Sequence, residues 1–237
     1  MTELKKYVGF SLFLSVAVIL GALLLSRVGT AIAVLADGIE TAPVVIIDAG
    51  HGGEDGGAVS VSGVRESRLN LEISLRLNDF LHFLGIETRM IRSADVSVYT
   101  EGETIAQKKV SDIHNRVNYV EQTPNALLVS IHQNYFTQSQ YRGAQVFYAS
   151  TAGSSALAEA MQQSLSQQAD PRNHRECKAA KDIYLMEHIS CPAILIECGF
   201  LSNPEEDLLL QEECYQKKLA AVIGCCILTH LGEPNEV

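Results

Sequence analysis

The chain has 237 residues, 18 of them basic and 28 acidic, and its formal charge at neutral pH is −10. This balance argues against nucleic acid as a partner, because binding to phosphates requires a basic surface. The sequence shows no internal repeat, and the length that remains after Ala42 suits one domain of ordinary size.

The first predicted element is an apolar N-terminal segment. Val8 to Leu25 has no charged residue over 18 positions, which is about the minimum for a membrane-spanning helix. Lys5 and Lys6 precede it and favour a cytoplasmic N-terminus. Ala31-Ile32-Ala33 resembles a signal-peptide cleavage site, but the apolar core is longer than the usual length of about 7 to 15 residues. We expect an uncleaved anchor, although both interpretations export the rest of the chain.

The rest of the chain alternates between strand and helix patterns. The predicted segments are an anchor or signal segment at 1–26, a linker at 27–42, one domain at 43–231 and a tail at 232–237. Strands are predicted at 43–48, 86–91, 126–131, 144–149 and 193–197, and helices at 66–84, 105–121, 154–168, 204–213 and 215–231. This alternation predicts an α/β fold, with a twisted, mostly parallel mixed sheet flanked by helices.

Three predicted strands end at residues that bind metals or move protons. His51 follows the first strand within a glycine-rich segment, His132 ends the third, and Glu197 ends the last. Open α/β sheets place their ligand sites at the carboxyl ends of strands. We therefore expect these three side chains to contribute to one metal centre, although a single histidine in such a position is more often an ordinary hydrogen-bonded residue.

A catalytic zinc usually has three protein ligands and one open position. The best third ligand is Glu66, which lies 15 residues after His51 and opens a helical pattern. The alternative for Glu66 is a carboxylate that merely complements the helix dipole. Glu197 is harder to explain structurally, since an unpaired carboxylate at the end of an apolar strand is unfavourable.

Other titratable residues have competing interpretations. Asp48 and Asp55 are possible ligands, but we expect Asp48 to orient His51 and Asp55 to brace the glycine turns. Two histidines near the last strand are reserve ligands: His174 and His188. Three in helical stretches are expected at the surface or its boundary: His82, His114 and His230. The polar, locally basic segment 170–182 is interpreted as an irregular loop near the site, with plain exposed surface as the alternative.

Three segments together resemble the signature of zinc-dependent N-acetylmuramoyl-L-alanine amidases. They are Asp48-Ala49-Gly50-His51-Gly52-Gly53-Glu54-Asp55-Gly56-Gly57-Ala58, Ser130-Ile131-His132-Gln133-Asn134 and Glu197-Cys198-Gly199-Phe200-Leu201-Ser202-Asn203-Pro204. The match runs from about Pro43 to Leu231 in the order and spacing of that family. The resemblance implies that residues 43–231 form a zinc amidase catalytic domain that hydrolyses the amide between muramic acid and the peptidoglycan stem peptide.

The resemblance also implies roles for single residues. The zinc ligands would be His51, Glu66 and His132, and Glu197 would be the catalytic carboxylate. Apart from the resemblance, Glu54 is the alternative base if Glu197 does not serve. The short domain behind one apolar segment resembles the spore-cortex amidases, which act in the formation of muramic-δ-lactam. Membrane attachment through the N-terminal segment, or secretion after cleavage, would place the domain facing the cell wall. The sequence leaves open whether an activating partner protein takes part.

Two other functions are compatible with the same residues. One is another exported zinc amidohydrolase or carboxypeptidase that acts on wall peptides. The other is a wall-binding domain without activity, which the complete ligand set and Glu197 argue against. The chemistry itself favours an amidase, because zinc polarises a carbonyl and lowers the pKa of water to about 7, while a nearby carboxylate transfers the proton.

The sequence departs from the family pattern at three places. Ser67 stands where the family commonly has Lys, Cys198 replaces an aliphatic or small residue, and Met186-Glu187-His188 replaces a pattern resembling Leu-Arg-Asn. These changes affect the expected substrate contacts and leave the ligand set intact. Strand alternation predicts that Cys198 packs on the face opposite Glu197. We expect Cys225 and Cys226 to be packing residues, and the six cysteines permit disulfides in an exported protein.

Overall fold

The computed structural model describes residues 43–232. The expected anchor at 1–26, the linker at 27–42 and all of the tail except Gly232 lie outside the described residues. Within the described part, none of the helices combines the length and the apolar character needed to cross a bilayer.

Six strands form one mixed sheet. They are β1 (Val44–Ala49), β2 (Thr88–Met90), β3 (Ala126–Asn134), β4 (Gln145–Tyr148), β5 (Lys178–Ala179) and β6 (Ala193–Phe200), in the spatial order β2-β1-β3-β6-β4-β5. Strands β2, β1, β3 and β6 run parallel to one another. β4 runs antiparallel to β6, and β5 runs parallel to β4. The ends of β1, β3 and β6 therefore meet at one edge of the sheet.

Six α-helices accompany the sheet. They are α1 (Glu66–Phe83), α2 (Ile105–Glu121), α3 (Ser154–Ser164), α4 (Tyr184–Glu187), α5 (Pro204–Gln211) and α6 (Glu213–Gly232), and α3 continues into a π-helical turn at Leu165–Ala169. Local chemistry explains two of the starts. Thr104 and Gln107 form a capping box before α2, and the Asn203 side chain accepts two backbone N–H groups before α5.

The sheet separates two apolar layers because successive side chains of a strand point to opposite faces. On one face Val45 and Ile47 pack with residues of α1, α3 and α6. On the other face Ile46 and Leu195 pack with residues of α2 and α4. Full burial of each such aliphatic side chain stabilises the fold by about 1.5–3 kcal/mol. The strands that end at the sheet edge are therefore held firmly by the two apolar layers.

The structure confirms the predicted fold class and requires two corrections. Segment 170–182 is not wholly irregular, since it contains β5, whose two residues are too few to give a sequence pattern. Cys225 is exposed, so its predicted packing role is wrong, whereas Cys226 and Cys198 are buried in the core. Cys198 shares its core layer with Ile196, on the face opposite Leu195, as predicted. The six cysteines, all within residues 43–232, form no disulfide with one another.

Candidate metal centre

His51 lies in the turn that follows β1 and has a φ of +60°, which is uncommon for a residue with a side chain. Its Nδ1 atom lies 2.9 Å from Oδ2 of Asp55, and its Nε2 atom lies 3.2 Å from Oε2 of Glu66. Burial lowers the pKa of His51, but the two carboxylates outweigh it and raise the pKa to about 9. When Nδ1–H donates to Asp55, the Nε2 lone pair is directed at the neighbouring ligand residues.

Glu66 is the first residue of α1 and is only 4% exposed. Its Oε1 accepts hydrogen bonds from the Asn70 side chain and the Gln133 backbone, both at 3.2 Å, and lies 3.0 Å from Nδ1 of His132. Its Oε2 accepts the Ala58 N–H at 3.0 Å. Burial raises the pKa of this carboxyl, but the two neighbouring histidines outweigh it and hold the pKa well below its usual range. Glu66 is therefore an ionised carboxylate with a fixed orientation.

His132 lies on β3 and packs edge-on against His51, with ring centres 5.0 Å apart. Two glycines make room for this arrangement. A Cβ atom on Gly50 would lie 2.2 Å from the His132 ring, and one on Gly57, whose φ is +67°, would lie 2.5 Å from Oε2 of Glu66. The glycine-rich segment thus lets the backbone approach the ligand side chains more closely than any other residue would permit.

The structure brings His51, Glu66 and His132 together with ligand atoms that all lie within 4.8 Å of one another. Among residues 43–232 this is the one group of three such side chains. His174 and His188 do not belong to it. His188 instead stacks on the Tyr184 ring at 3.7 Å between centres. Two imidazole nitrogens and one carboxylate form a donor set typical of catalytic zinc, which leaves a fourth position open.

Glu197 lies directly opposite His132 in the pairing of β6 with β3. Its Oε2 atom is buried, with no hydrogen-bond partner in the part of the chain that the structure describes. Burial raises the pKa of Glu197 to about 7, and the negative charge of Glu66 adds to this effect, while His132, His51 and Arg175 oppose it. A buried carboxyl with an unused oxygen beside a metal-binding group is equipped to exchange protons with a reacting molecule.

A cavity of about 290 Å³ joins these groups. Its lining includes His51, His132 and Glu197, together with Tyr184 and Leu185 from α4. The alternative base, Glu54, is 53% exposed and pairs with Lys108 at 2.8 Å. Three aspartates also line the cavity, and each forms an ion pair: Asp48, Asp55 and Asp112. Glu197 differs from them, since its buried Oε2 has no partner within residues 43–232.

The predicted roles of the two aspartates are partly wrong. Asp48 does not contact His51. It is buried, forms an ion pair with Arg116 and accepts a hydrogen bond from Ser130 at 2.7 Å. It is Asp55 that orients His51, and it also accepts the Gly57 N–H at 3.3 Å, so its expected role in bracing the glycine turn is confirmed.

Two buried arginines hold the turn that carries His51, and sequence reasoning did not single them out. Arg116 donates to the carbonyl oxygens of Ala49 and His51, at 3.1 and 2.7 Å. Arg92 donates to those of Ala49 and Gly50, at 2.7 and 2.9 Å. Three successive carbonyls are thereby fixed, which stabilises the left-handed conformation at His51. The sequence carried no signal for them, because an isolated arginine usually belongs to the surface.

The family model for N-acetylmuramoyl-L-alanine amidases matches residues 45–228, which include every residue of the metal centre. The chain belongs to this family. Its activity is hydrolysis of the amide that links N-acetylmuramic acid to L-alanine in peptidoglycan.

Individual relatives agree with this assignment. The germination-specific N-acetylmuramoyl-L-alanine amidase of Bacillus subtilis is 35% identical over 198 residues, covering 81% of this amidase and 83% of the relative. The CwlD amidase of Clostridioides difficile, solved in complex with the GerS lipoprotein, is 39% identical with a TM-score of 0.77, covering 80% of this amidase and 98% of that chain. The amidase AmiC2 of Nostoc punctiforme is 29% identical with a TM-score of 0.69, covering 81% and 98%.

The positions at which this amidase departs from the family pattern lie around the site. The Ser67 side chain is buried next to Glu66, and its carbonyl oxygen accepts a hydrogen bond from Arg92 at 2.8 Å. Met186 is buried in the core, whereas His188 is exposed and its Nδ1 lies 2.9 Å from the carbonyl oxygen of Tyr184. Ser67, Met186 and His188 are not among the residues that line the cavity, so these departures leave its lining unchanged.

Proposed function

We propose that this amidase is a zinc enzyme of the spore cortex, in which His51, Glu66 and His132 hold one zinc ion and Glu197 is the proton carrier. The observation that carries the proposal is the convergence of three ligand atoms within 4.8 Å beside a carboxyl whose Oε2 is buried and unpaired. A zinc ion held there would polarise the amide carbonyl of the substrate and would lower the pKa of its bound water to about 7.

The residues of the chain perform the remaining steps. Asp55 and Glu66 keep the His51 ring in one orientation, so the binding position is formed before the substrate arrives. Glu197 takes the proton of the attacking water and passes it to the departing amine of L-alanine. In the zinc-free protein the pKa of Glu197 is about 7, so its surroundings do not hold the carboxyl permanently ionised.

The cortex assignment is supported by the similarity to a germination-specific amidase and to CwlD. Removal of the stem peptide frees the muramic carboxyl group, and this group is the one that a muramic-δ-lactam requires. We place this amidase at the step that precedes lactam formation. The complex of CwlD with a lipoprotein supports a lipoprotein partner for this amidase as well.

The location of the substrate supports the N-terminal interpretation. Peptidoglycan lies outside the cytoplasmic membrane, so the domain must be exported to reach it. We infer that Val8–Leu25 is an uncleaved anchor that leaves the domain facing the wall, since the segment is free of charge over 18 positions.

Zinc analysis and a peptidoglycan digest test the proposal together. The soluble domain that begins near Thr41 should contain one zinc ion per chain and should release stem peptides that begin with a free L-alanine amine. Chelation should abolish the release, and added zinc should restore it. His132→Ala should lose most of its zinc because one of three ligands is gone, whereas His82→Ala is the matched control on an exposed helical histidine.

Two results would contradict the proposal. Full zinc occupancy in His132→Ala would remove His132 from the ligand set and promote His174 or His188. A digest that yields shortened stem peptides still attached to the glycan would identify a carboxypeptidase instead.

A further inference from the structure

The basic segment before β5 reaches the same sheet edge as the catalytic carboxylate. β4 runs antiparallel to β6, and its first residue, Gln145, lies directly opposite Glu197. β5 runs parallel to β4, so the segment that leads into Lys178 also arrives at this edge. Arg175 belongs to that segment. Along this edge, starting from β1, the order of the residues is His51 and His132, then Glu197, then Gln145 with Arg175.

The Arg175 guanidinium is held in a defined position. Its Nε donates to Oε1 of Gln145 at 3.1 Å, and a second nitrogen donates to the same oxygen. Gln145 is only 3% exposed, and its own amide nitrogen donates to the carbonyl of Glu176 at 2.9 Å. The guanidinium carbon lies 4.9 Å from the centre of the buried Phe200 ring. These contacts fix the guanidinium, but within residues 43–232 they bring no negative charge to it.

Two neighbouring arginines, unlike Arg175, form ion pairs with carboxylates. Arg172, three positions earlier, pairs with Asp170 and with Glu205 at 2.8 Å. Arg142 pairs with the same two carboxylates, each at 3.1 Å. Arg175 is half-buried, and burial lowers its pKa, while the charges of Glu206 and Glu197 oppose this from beyond ion-pair distance. A partly desolvated cation without a paired anion is unfavourable, and a ligand carboxylate would compensate for it.

The position of the departing amine indicates that the stem peptide, which carries the negative charge of the substrate, lies near β4 and β5. Glu197 gives its proton to the departing amine, so the stem peptide lies on the Glu197 side of the metal ligands. That is the side on which β4 and β5 lie. The muramic carboxyl group is consumed in the amide bond, whereas the stem peptide carries free carboxylates.

We propose that Arg175 binds a carboxylate of the stem peptide and so forms the peptide subsite of the enzyme. The inference rests on the proposed function, because it uses the position of the leaving amine at Glu197. A planar guanidinium can hold a carboxylate through two parallel hydrogen bonds, which fixes the peptide in direction as well as in place. Stacking on Phe200 and the bond to Gln145 reduce the entropy lost when the peptide binds.

A pair of substrates tests the inference. One is a disaccharide tetrapeptide with free carboxyl groups, and the other is the same compound with every carboxyl converted to a carboxamide. The wild-type enzyme should show a KM at least ~10-fold lower for the free acid, the scale expected for a charge-assisted pair. Arg175→Gln should lose this difference by raising KM for the acid and not for the carboxamide, with zinc content unchanged. Arg175→Lys should recover part of the difference in KM, since the positive charge remains but the two parallel hydrogen bonds of the guanidinium are lost.

The matched control is Arg172→Gln, which removes a charge from the same segment at a position that is already paired. It should leave both KM values unchanged. Equal KM values for the two substrates with the wild-type enzyme would overturn the inference without any variant, and so would an equal rise for both substrates in Arg175→Gln. If the wild-type enzyme hydrolysed neither substrate, the proposed function itself would fail and the inference with it.

Discussion

Two carboxylates at the site have opposite protonation behaviour because their surroundings differ. Glu66 accepts hydrogen bonds from Asn70, Gln133 and Ala58, and two histidines face it, so its pKa is held low. Glu197 has an unpartnered buried oxygen, and burial raises its pKa to about 7. One carboxylate is thereby suited to bind a cation and the other to move protons.

Replacement of Glu197 should separate catalysis from stability. Glu197→Gln keeps the shape and the zinc but removes the base, so kcat should fall by roughly 10²-fold or more. The folded-state pKa of about 7 exceeds the ordinary value of 4.5, so stability of the zinc-free protein falls as pH rises between these values. In chelator at pH 8, Glu197→Gln should therefore be more stable than wild type by on the order of 1–3 kcal/mol.

The gain should vanish near pH 4, where Glu197 is protonated in both the folded and the unfolded state. Urea unfolding at the two pH values measures it. A stability difference that does not change with pH would show that Glu197 is not a buried, perturbed acid.

Zinc affinity should depend on pH through His51. The pKa of about 9 in the zinc-free protein means that zinc must displace a proton from His51 at neutral pH. Affinity should therefore rise with pH, by up to roughly tenfold per unit, and level off near pH 9. Competition with a chromogenic chelator measures this slope. Asp55→Asn removes the negative partner of Nδ1, and its slope should level off at a lower pH. The same profile in both proteins would exclude Asp55 as the group that sets the pKa.

At the scale of elements, the site depends on α2 although no proposed ligand lies on it. α2 contributes Arg116, whose ion pair with Asp48 and bonds to Ala49 and His51 fix the turn after β1. The start of α2 was predictable, because Thr104 and Gln107 have the capping-box spacing. Its role in the site was not, since a helix pattern does not reveal which polar residue faces inwards. β5 and α4 were missed because two and four residues are too short for a periodic signal.

Removal of Arg116 should destabilise the fold and loosen the metal centre. Arg116→Met leaves Asp48 charged and buried without its partner, which should cost about 3–5 kcal/mol of unfolding free energy. Arg89→Met, which removes an exposed arginine paired with Glu87 at 3.3 Å, is the control and should change stability by less than about 0.5 kcal/mol. Chemical denaturation of the zinc-free forms gives both values. Equal stability of the two variants would mean that the buried pair does not support the turn.

In the molecule as a whole, the meeting of His51, His132 and Glu197 was predictable because the carboxyl ends of parallel strands lie at one edge of a sheet. Apolar runs that end at His51, His132 and Glu197 predict strands whose carboxyl ends share an edge, and the structure shows β1, β3 and β6 as neighbours. Arg175 was noted only as part of a basic loop. Its proximity to Glu197 depends on the antiparallel insertion of β4, and the sequence pattern does not give the direction of that strand.

The location of the enzyme depends on its N-terminal segment. If Val8–Leu25 is an uncleaved anchor, the domain is exposed on the outer face of the cytoplasmic membrane. Protease added to intact protoplasts should then remove the domain while cytoplasmic proteins survive. Release of the domain into the medium without protease would identify a cleaved signal peptide, and full protection would contradict export.

Anomalous scattering at the zinc edge from crystals of the zinc-loaded domain tests whether His51, Glu66 and His132 hold the metal. We expect one peak per chain at about 2.0–2.2 Å from one nitrogen each of His51 and His132 and from an oxygen of Glu66, with Glu197 nearby but not bound. A peak that lies on other residues, or that includes Glu197 among the ligands, would show that the proposed zinc site is wrong.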